Sequence, residues 1–261
     1  MKKQTLIIIG AAIVVLAVIV IVVAISVARC ARRNSLSELI REAQRSAQAD
    51  SERTPVPTAT PNATGMENML KGDSFVYKLS AARLLGARTD IPVKERARLL
   101  IDAIGAEVET PSEDAVVKDS YLNGGQVLRL TLVRSLGELD KRGLDNVRAA
   151  VEEAEGITRE HMLVALTYMG DKDARGEVRG LVTDSSDPVV RMDAARALGI
   201  VKDKAAVPML TEALQDEFLV HARDSLGEFS AYPVREQAAA ALGLLGVTVT
   251  RGADGRFTAE E

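Results

Sequence analysis

The fold of this chain is decided by residues 187–199, which read DPVVRMDAARALG. Asp187 and Pro188 supply a helix cap and a first-turn proline. The apolar residues that follow recur at helical spacing, and the run closes on Gly199. We therefore predict a helix over this stretch, with Leu198 on its buried side.

A second helix is predicted immediately after the first. Asp203 can cap it, and Val207, Leu210 and Leu214 form its apolar stripe. Two short helices joined by a tight turn pack antiparallel, so we expect Leu198 and Leu210 to be buried between them. The segment is predicted to be a helix pair.

The same kind of apolar run closes on a glycine five times, at Gly86, Gly137, Gly170, Gly199 and Gly243. Successive glycines are 51, 33, 29 and 44 residues apart. Their average spacing of about 39 residues is near the period of two-helix HEAT and armadillo repeats. The chain is therefore predicted to be a repeat protein, and such architectures usually bind other molecules.

The remaining segments complete the prediction of an all-α, HEAT-like α-solenoid of about four to five repeats. An N-terminal transmembrane helix and a short C-terminal β-hairpin complete the predicted fold. Earlier helix pairs are predicted at 73–88 with 92–105, 120–139 with 143–155, and 157–169 with 173–183. A single last helix runs from Tyr232 to about Leu245. Residues 247–257 alternate as a strand pattern, which predicts a hairpin that covers the exposed face of the last repeat.

Residues 187–199, 206–214 and 232–239 together resemble HEAT repeats of the phycobilisome-lyase-like type. The resemblance implies stacked antiparallel helix pairs in a curved solenoid. It also implies that Arg191 and Arg235 each pair with an aspartate of the preceding turn, for which Asp184, Asp187 and Asp216 are available. Family members are mostly protein-binding scaffolds, and some are phycobilin lyases or a hydroxylase.

Residues 5–28 are 24 residues without a charge, nearly all of them Ile, Val, Leu and Ala. A helix of this length rises about 36 Å, enough to cross an apolar layer of about 30 Å. A cleaved signal peptide has a shorter apolar region. A lipoprotein signal is disfavoured because Arg29 precedes Cys30, the single cysteine. We predict a single-pass transmembrane helix.

The chain divides into four predicted parts. An anchor with its flanks covers 1–33, a juxtamembrane helix 34–49, a Pro- and Thr-rich linker 50–65, and the HEAT-repeat domain with its hairpin 66–261.

Charge also divides the chain. Residues 1–65 hold 8 Lys and Arg against 4 Asp and Glu, and residues 66–261 hold the other 25 against 33, a net charge of −8. An acidic body repels phosphate, so we expect no nucleic-acid partner.

No catalytic, metal or cofactor site is predicted. The two histidines, His161 and His221, are isolated and are interpreted as ordinary helix and loop residues. The family hydroxylase would need repeated His-Glu pairs, of which only Glu160-His161 is present. The pair Gly124-Gly125 is interpreted as a loop that breaks a helical stretch.

These observations favour a membrane-anchored scaffold for protein partners, with no enzymatic activity. The alternatives are a lyase-like enzyme or enzyme accessory, and a structural component of an envelope complex. The predicted location is a bacterial inner membrane, with the C-terminal domain exported. An open groove of mixed polar residues would favour the scaffold, and a cleft of clustered ionisable groups would favour the enzyme.

Overall fold

A computed structural model describes residues 61–112, 120, 122–224, 227–252 and 256–260. The predicted transmembrane helix 5–28, the juxtamembrane helix 34–49 and Cys30 lie outside these residues. Within the described part of the chain, no helix combines the length and apolar character that crossing a membrane requires.

The described chain is mainly helical. Its helices are α1 (Ala63–Lys71), α2 (Phe75–Ala87), α3 (Val93–Glu109), α4 (Gly124–Gly137), α5 (Leu144–Glu153), α6 (Gly156–Tyr168), α7 (Lys172–Asp184), α8 (Pro188–Ile200), α9 (Val207–Ala213) and α10 (Pro233–Leu244). Its strands are β1 (Val220–Asp224), β2 (Gly227–Ala231), β3 (Thr248–Arg251) and β4 (Phe257–Glu260).

The helices alternate between two layers. The first helices of successive pairs, α2, α4, α6, α8 and α10, pack against one another in chain order. The second helices are α3, α5, α7 and α9, and contacts join α3 to α5 and α7 to α9. This arrangement agrees with the predicted stack of HEAT-like helix pairs. Leu198, Leu210 and Leu214 are buried in the shared core.

Three of the five closing glycines lie where one first helix approaches the next. A Cβ added at Gly199 would lie 2.8 Å from Cα and Cβ of Ala241 in α10. At Gly137 it would lie 2.5 Å from Cβ of Tyr168 in α6, and at Gly86 3.0 Å from Cβ of Ser135 in α4. The distances at Gly199 and Gly137 are shorter than real carbon contacts, so the layer requires glycine at these two positions. At Gly86 a methyl group would fit only if Ser135 moved by a few tenths of an ångström.

Gly170 has a different role from the other closing glycines. It follows the end of α6 with φ at +90°, a conformation that glycine adopts without strain. The equivalent position after α8 is Lys202, and after α10 it is Gly246. Each ends its helix in a Schellman motif, because the next amide donates back to a leucine carbonyl (Asp171 to Leu166, Asp203 to Leu198, Val247 to Leu242). Counted along its own helix, Gly170 therefore lies three residues further towards the C-terminus than Gly199 does in α8.

Gly243 is equivalent to Gly199 but has open space beside it, with no heavy atom within 4 Å of an added Cβ. No further first helix packs there among the described residues. Leu244 beside it is 56% exposed. The layer of first helices therefore ends with an uncovered side on α10.

The C-terminal hairpin is present as predicted, since β3 and β4 pair antiparallel. Residues 253–255, between these two strands in the sequence, lie outside the described residues. The side chains of Val249, Phe257 and Ala259 pack against the core, and both strands contact α10. The hairpin therefore covers part of the last repeat, although Gly243 and Leu244 stay exposed.

Three features differ from the sequence predictions. Helix α1 begins at Ala63, inside the segment assigned to the linker, because the side chain of Asn62 caps it by accepting from the Gly65 amide at 2.9 Å. The glycine pair is not a loop. Gly124 and Gly125 begin α4, since Asn123 and Gln126 form a capping box before them.

The third difference is the antiparallel hairpin of β1 and β2, which lies between α9 and α10. It was not predicted. His221 lies on β1 and not in a loop, and its Nδ1 is 3.1 Å from Oγ of Ser230 on β2.

Gly199→Ala and Gly243→Ala form a matched pair that tests the packing of the first helices. We expect Gly199→Ala to lower the free energy of unfolding by about 1 to 3 kcal/mol, because its methyl group would overlap Ala241. Gly243→Ala should cause no loss, and alanine's better helix propensity should add up to about 1 kcal/mol. Urea unfolding of both variants in a fragment of residues 61–261 measures the difference. Equal losses at the two positions would contradict this account of the packing.

Candidate functional site

The titratable side chains inside the stack are gathered into clusters that join helices. The first cluster lies at the start of α8, where Asp187 accepts a 2.8 Å hydrogen bond from the Val189 amide and caps the helix. Arg129 of α4 lies 3.5 Å from Asp187, and Nε2 of the fully buried His161 of α6 lies 3.7 Å from it. We call Arg129, His161 and Asp187 the Asp187 cluster. It connects three successive first helices.

The contacts of Asp187 set its ionisation. Burial by itself raises the pKa of its carboxyl, but His161, the Val189 amide and Arg129 outweigh burial and hold the pKa below its ordinary value. The carboxylate therefore stays ionised at neutral pH.

A second cluster joins the same three helices. Asp193 of α8 is fully buried, and its Oδ1 accepts from Nε of Arg134 at 3.0 Å and from the hydroxyl of Tyr168 at 2.8 Å. We call Arg134, Tyr168 and Asp193 the Asp193 cluster. Burial and the adjacent carboxylate both raise the pKa of Tyr168, so this hydroxyl remains neutral and acts as a donor.

The second helices are joined by a ladder of aspartate and arginine. Asp171 caps α7 through the amides of Asp173 and Ala174, and it accepts from Nε of Arg148 in α5 at 2.7 Å. One repeat later, Asp203 accepts from the amide of Ala205 at 3.1 Å and from Nε of Arg179 in α7 at 2.9 Å. Each aspartate thus caps the turn or helix that follows it and fixes the preceding second helix beside it.

A repeated spacing of aspartate and arginine in the sequence could have predicted this ladder. Arg148 follows Asp140 by eight residues, and Arg179 follows Asp171 by eight residues, so the spacing recurs from one repeat to the next. The Asp193 cluster has no such signal, because Arg134 and Asp193 are 59 residues apart.

The arginines predicted to form ion pairs between repeats both reach Asp216, in the segment after α9. Nε of Arg191 lies 2.6 Å from Oδ2 of Asp216, and Nη1 donates to the Ser185 carbonyl at 2.8 Å. Arg235 donates to the backbone carbonyl of Asp216 and stacks on the ring of Tyr232. The expected pairing is therefore wrong in detail, since Arg191 binds the turn after its own helix pair and Arg235 binds a carbonyl.

The described residues include no group of three or more His, Cys, Asp and Glu side chains placed to hold a metal ion. His161 contacts the carboxylate of Asp187, and His221 contacts a serine hydroxyl on the neighbouring strand. The ionisable groups of the two clusters and the ladder are engaged in contacts between helices. They do not converge on an open cleft.

An open groove with a volume of about 570 Å³ lies between the second helices α3 and α5. We call it the α3–α5 groove. Its apolar lining comes from Pro92, Ile101, Ala149 and Ala150, and its polar lining from Lys94, Glu95, Arg98, Asp102, Asn146 and Glu153. Positive, negative and apolar side chains are therefore mixed along one open surface.

Two smaller hollows lie elsewhere on the stack. One, of about 310 Å³, lies between α1 and α3 and is lined by both Glu67 and Lys78. The other, of about 380 Å³, lies between α6 and α7, where Arg159 and Glu177 form a 2.7 Å ion pair. Both are of mixed charge, like the α3–α5 groove.

Comparison with known proteins adds one finding. Residues 144–243 match the family described as HEAT repeats. The match runs from the start of α5 into α10, so it includes the helix pairs joined by the ladder. No curated protein matches the chain.

The Asp187 cluster predicts a pH-dependent contribution to stability. A carboxylate whose pKa is lowered in the folded protein stabilises it above the unfolded pKa of about 3.9, and the contribution disappears as the pH falls through the folded value. Asparagine can still cap α8 but carries no charge. We expect Asp187→Asn to lower the free energy of unfolding by roughly 1 kcal/mol or more at pH 6, and the difference from wild type to shrink towards pH 3.

The matched control is Asp184→Asn, which removes the same charge from an exposed residue bonded only to its neighbour Thr183 among the described residues. Urea unfolding of the 61–261 fragment across the pH range provides the measurement. A loss at Asp187→Asn that does not change with pH would show that its ionisation has no role.

Proposed function

We propose that this chain, in which residues 144–243 match HEAT repeats, is a membrane-anchored scaffold for protein partners, and that its repeats are of the phycobilisome-lyase-like type. The observation that carries the proposal is the placement of polar groups. The ionisable side chains of the clusters and the ladder bind one another between helices, while the open grooves are lined by mixed polar and apolar side chains. Such surfaces suit recognition of a protein, and no observation among the described residues favours the lyase-like alternative.

The membrane part of the proposal rests on residues 5–28, whose length and apolar composition suit a single span. Lys2 and Lys3 precede the span, and Arg29, Arg32 and Arg33 follow it, so charge favours neither orientation. Two lysines before a long apolar run are typical of an uncleaved export signal. A Pro- and Thr-rich linker suits a domain held away from an outer surface. We therefore propose that the solenoid lies outside the cytoplasm of a bacterium.

The anchor is tested by fractionation of cells that express the full chain. We expect the protein to stay in the membrane fraction after alkaline extraction, because residues 5–28 should be in the lipid. A variant lacking residues 5–28 should be released. Release of the intact chain would contradict the anchor.

The side of the membrane is tested with a topology reporter fused after Glu261, together with protease access near Pro57. A reporter that is active only after export, with a linker that is cleaved from outside, is the expected result. Activity in the cytoplasm with a protected linker would place the partners inside the cell.

The scaffold is tested with photo-crosslinking residues in the full chain. We expect crosslinks to other polypeptides from Gly176 on α7 and Thr211 on α9, which are exposed on second helices. Arg196 is the matched position in the other layer, because it is exposed on α8, one of the first helices. Absence of crosslinks at every position in native membranes would count against a scaffold.

A further inference from the structure

The α3–α5 groove has the shape of a helix-binding trough, because two neighbouring second helices form its sides. The apolar part of its lining on α5 is Ala149 and Ala150, which are too small to fill the space between the helices, and on α3 it is Ile101. Small side chains let the backbone of an added helix approach closely, and Ile101 offers an apolar contact. An amphipathic helix would bury its apolar face on these three residues.

Some charged side chains at this groove have ion-pair partners and others have none. Arg98 is occupied by Asp102 at 3.0 Å and by Glu67 at 3.3 Å. Among the described residues, Glu95 and Glu153 of the lining have no ion-pair partner, and neither has the exposed Glu152 next to Glu153. Among the described residues, Lys94 is the one cation of the lining that has no ion-pair partner. The charge available to a partner is therefore negative.

We propose that the α3–α5 groove binds a basic amphipathic helix of a partner protein. The apolar face of that helix contacts Ile101, Ala149 and Ala150, and its Lys or Arg side chains pair with Glu95, Glu152 and Glu153. The net charge of −8 over residues 66–261 attracts such a helix from a distance and repels nucleic acids and anionic lipid surfaces. This inference rests on the proposed scaffold function and names the chemistry of its partner.

The test uses the full chain in nanodiscs of neutral phosphatidylcholine and a fluorescent model peptide of about 18 residues, long enough to form a helix. The peptide has leucines along one face and lysines along the other. Fluorescence anisotropy measures its binding, and empty nanodiscs provide the background. We expect saturable binding by the lysine peptide that weakens as salt is added, and much weaker binding by the same peptide with glutamates in place of lysines.

Two variants locate the binding. Ala149→Arg places a long cationic side chain in the groove and should lower affinity for the lysine peptide at least about tenfold, since like charges and steric overlap both oppose binding. Its matched control is Ala240→Arg, at an exposed helical alanine on α10, which should leave affinity unchanged. The double change Glu152→Lys and Glu153→Lys should weaken binding severalfold. Glu217→Lys, at an exposed residue after α9 and outside the groove lining, should not. Circular dichroism confirms that each variant is folded.

The inference fails if the lysine peptide does not bind, if the glutamate peptide binds equally well, or if Ala149→Arg leaves affinity unchanged while the variant is folded. Each of these results would contradict the groove proposal without contradicting the proposed scaffold function. Crosslinks to a polypeptide from Gly176 or Thr211 that persist in the Ala149→Arg variant would retain the scaffold and assign its partner to another surface.

Discussion

The structure depends on how closely successive first helices approach one another. At Gly137 and Gly199 the next first helix lies so near that a single added carbon atom would overlap it, and at Gly86 the approach is almost as close. Close packing of this kind removes the space that a side chain would fill and brings helices two repeats apart within reach of one arginine side chain. Arg134 can therefore span from α4 to Asp193 on α8, past the intervening α6.

The buried charges follow from this spacing. A carboxylate taken out of water is costly unless hydrogen bonds and an opposite charge replace its hydration. At Asp193, Arg134 and Tyr168 both bond Oδ1, while the buried Oδ2 has no hydrogen-bond partner among the described residues. Asp187 meets the requirement through Arg129, His161 and the amide that it caps. Such contacts fix the register of neighbouring helices, since a shifted helix would leave a charge without its partner.

The same arrangement bears on function. Acid and base side chains that hold helices together are not free to act on a substrate, and the hydroxyl of Tyr168 is kept neutral by its surroundings. What the described stack offers to other molecules is its surface. There the α3–α5 groove combines apolar contacts with carboxylates that have no ion-pair partner among the described residues. The basic helical partner proposed above would bind to this surface.

Local patterns in the sequence determined the helix pairs, because capping residues and apolar spacing act within a few residues of one another. The helix over 187–199, the capping by Asp203 and the C-terminal hairpin could all be predicted in this way. Contacts between distant residues were decided only by the tertiary structure. Nothing near Arg134 in the sequence indicates that it contacts Asp193. The five closing glycines look alike in the sequence, although Gly170 ends a helix and Gly199 lets the next first helix pack closely. Stacking sets these roles, because a residue's partner depends on which helix is packed beside it.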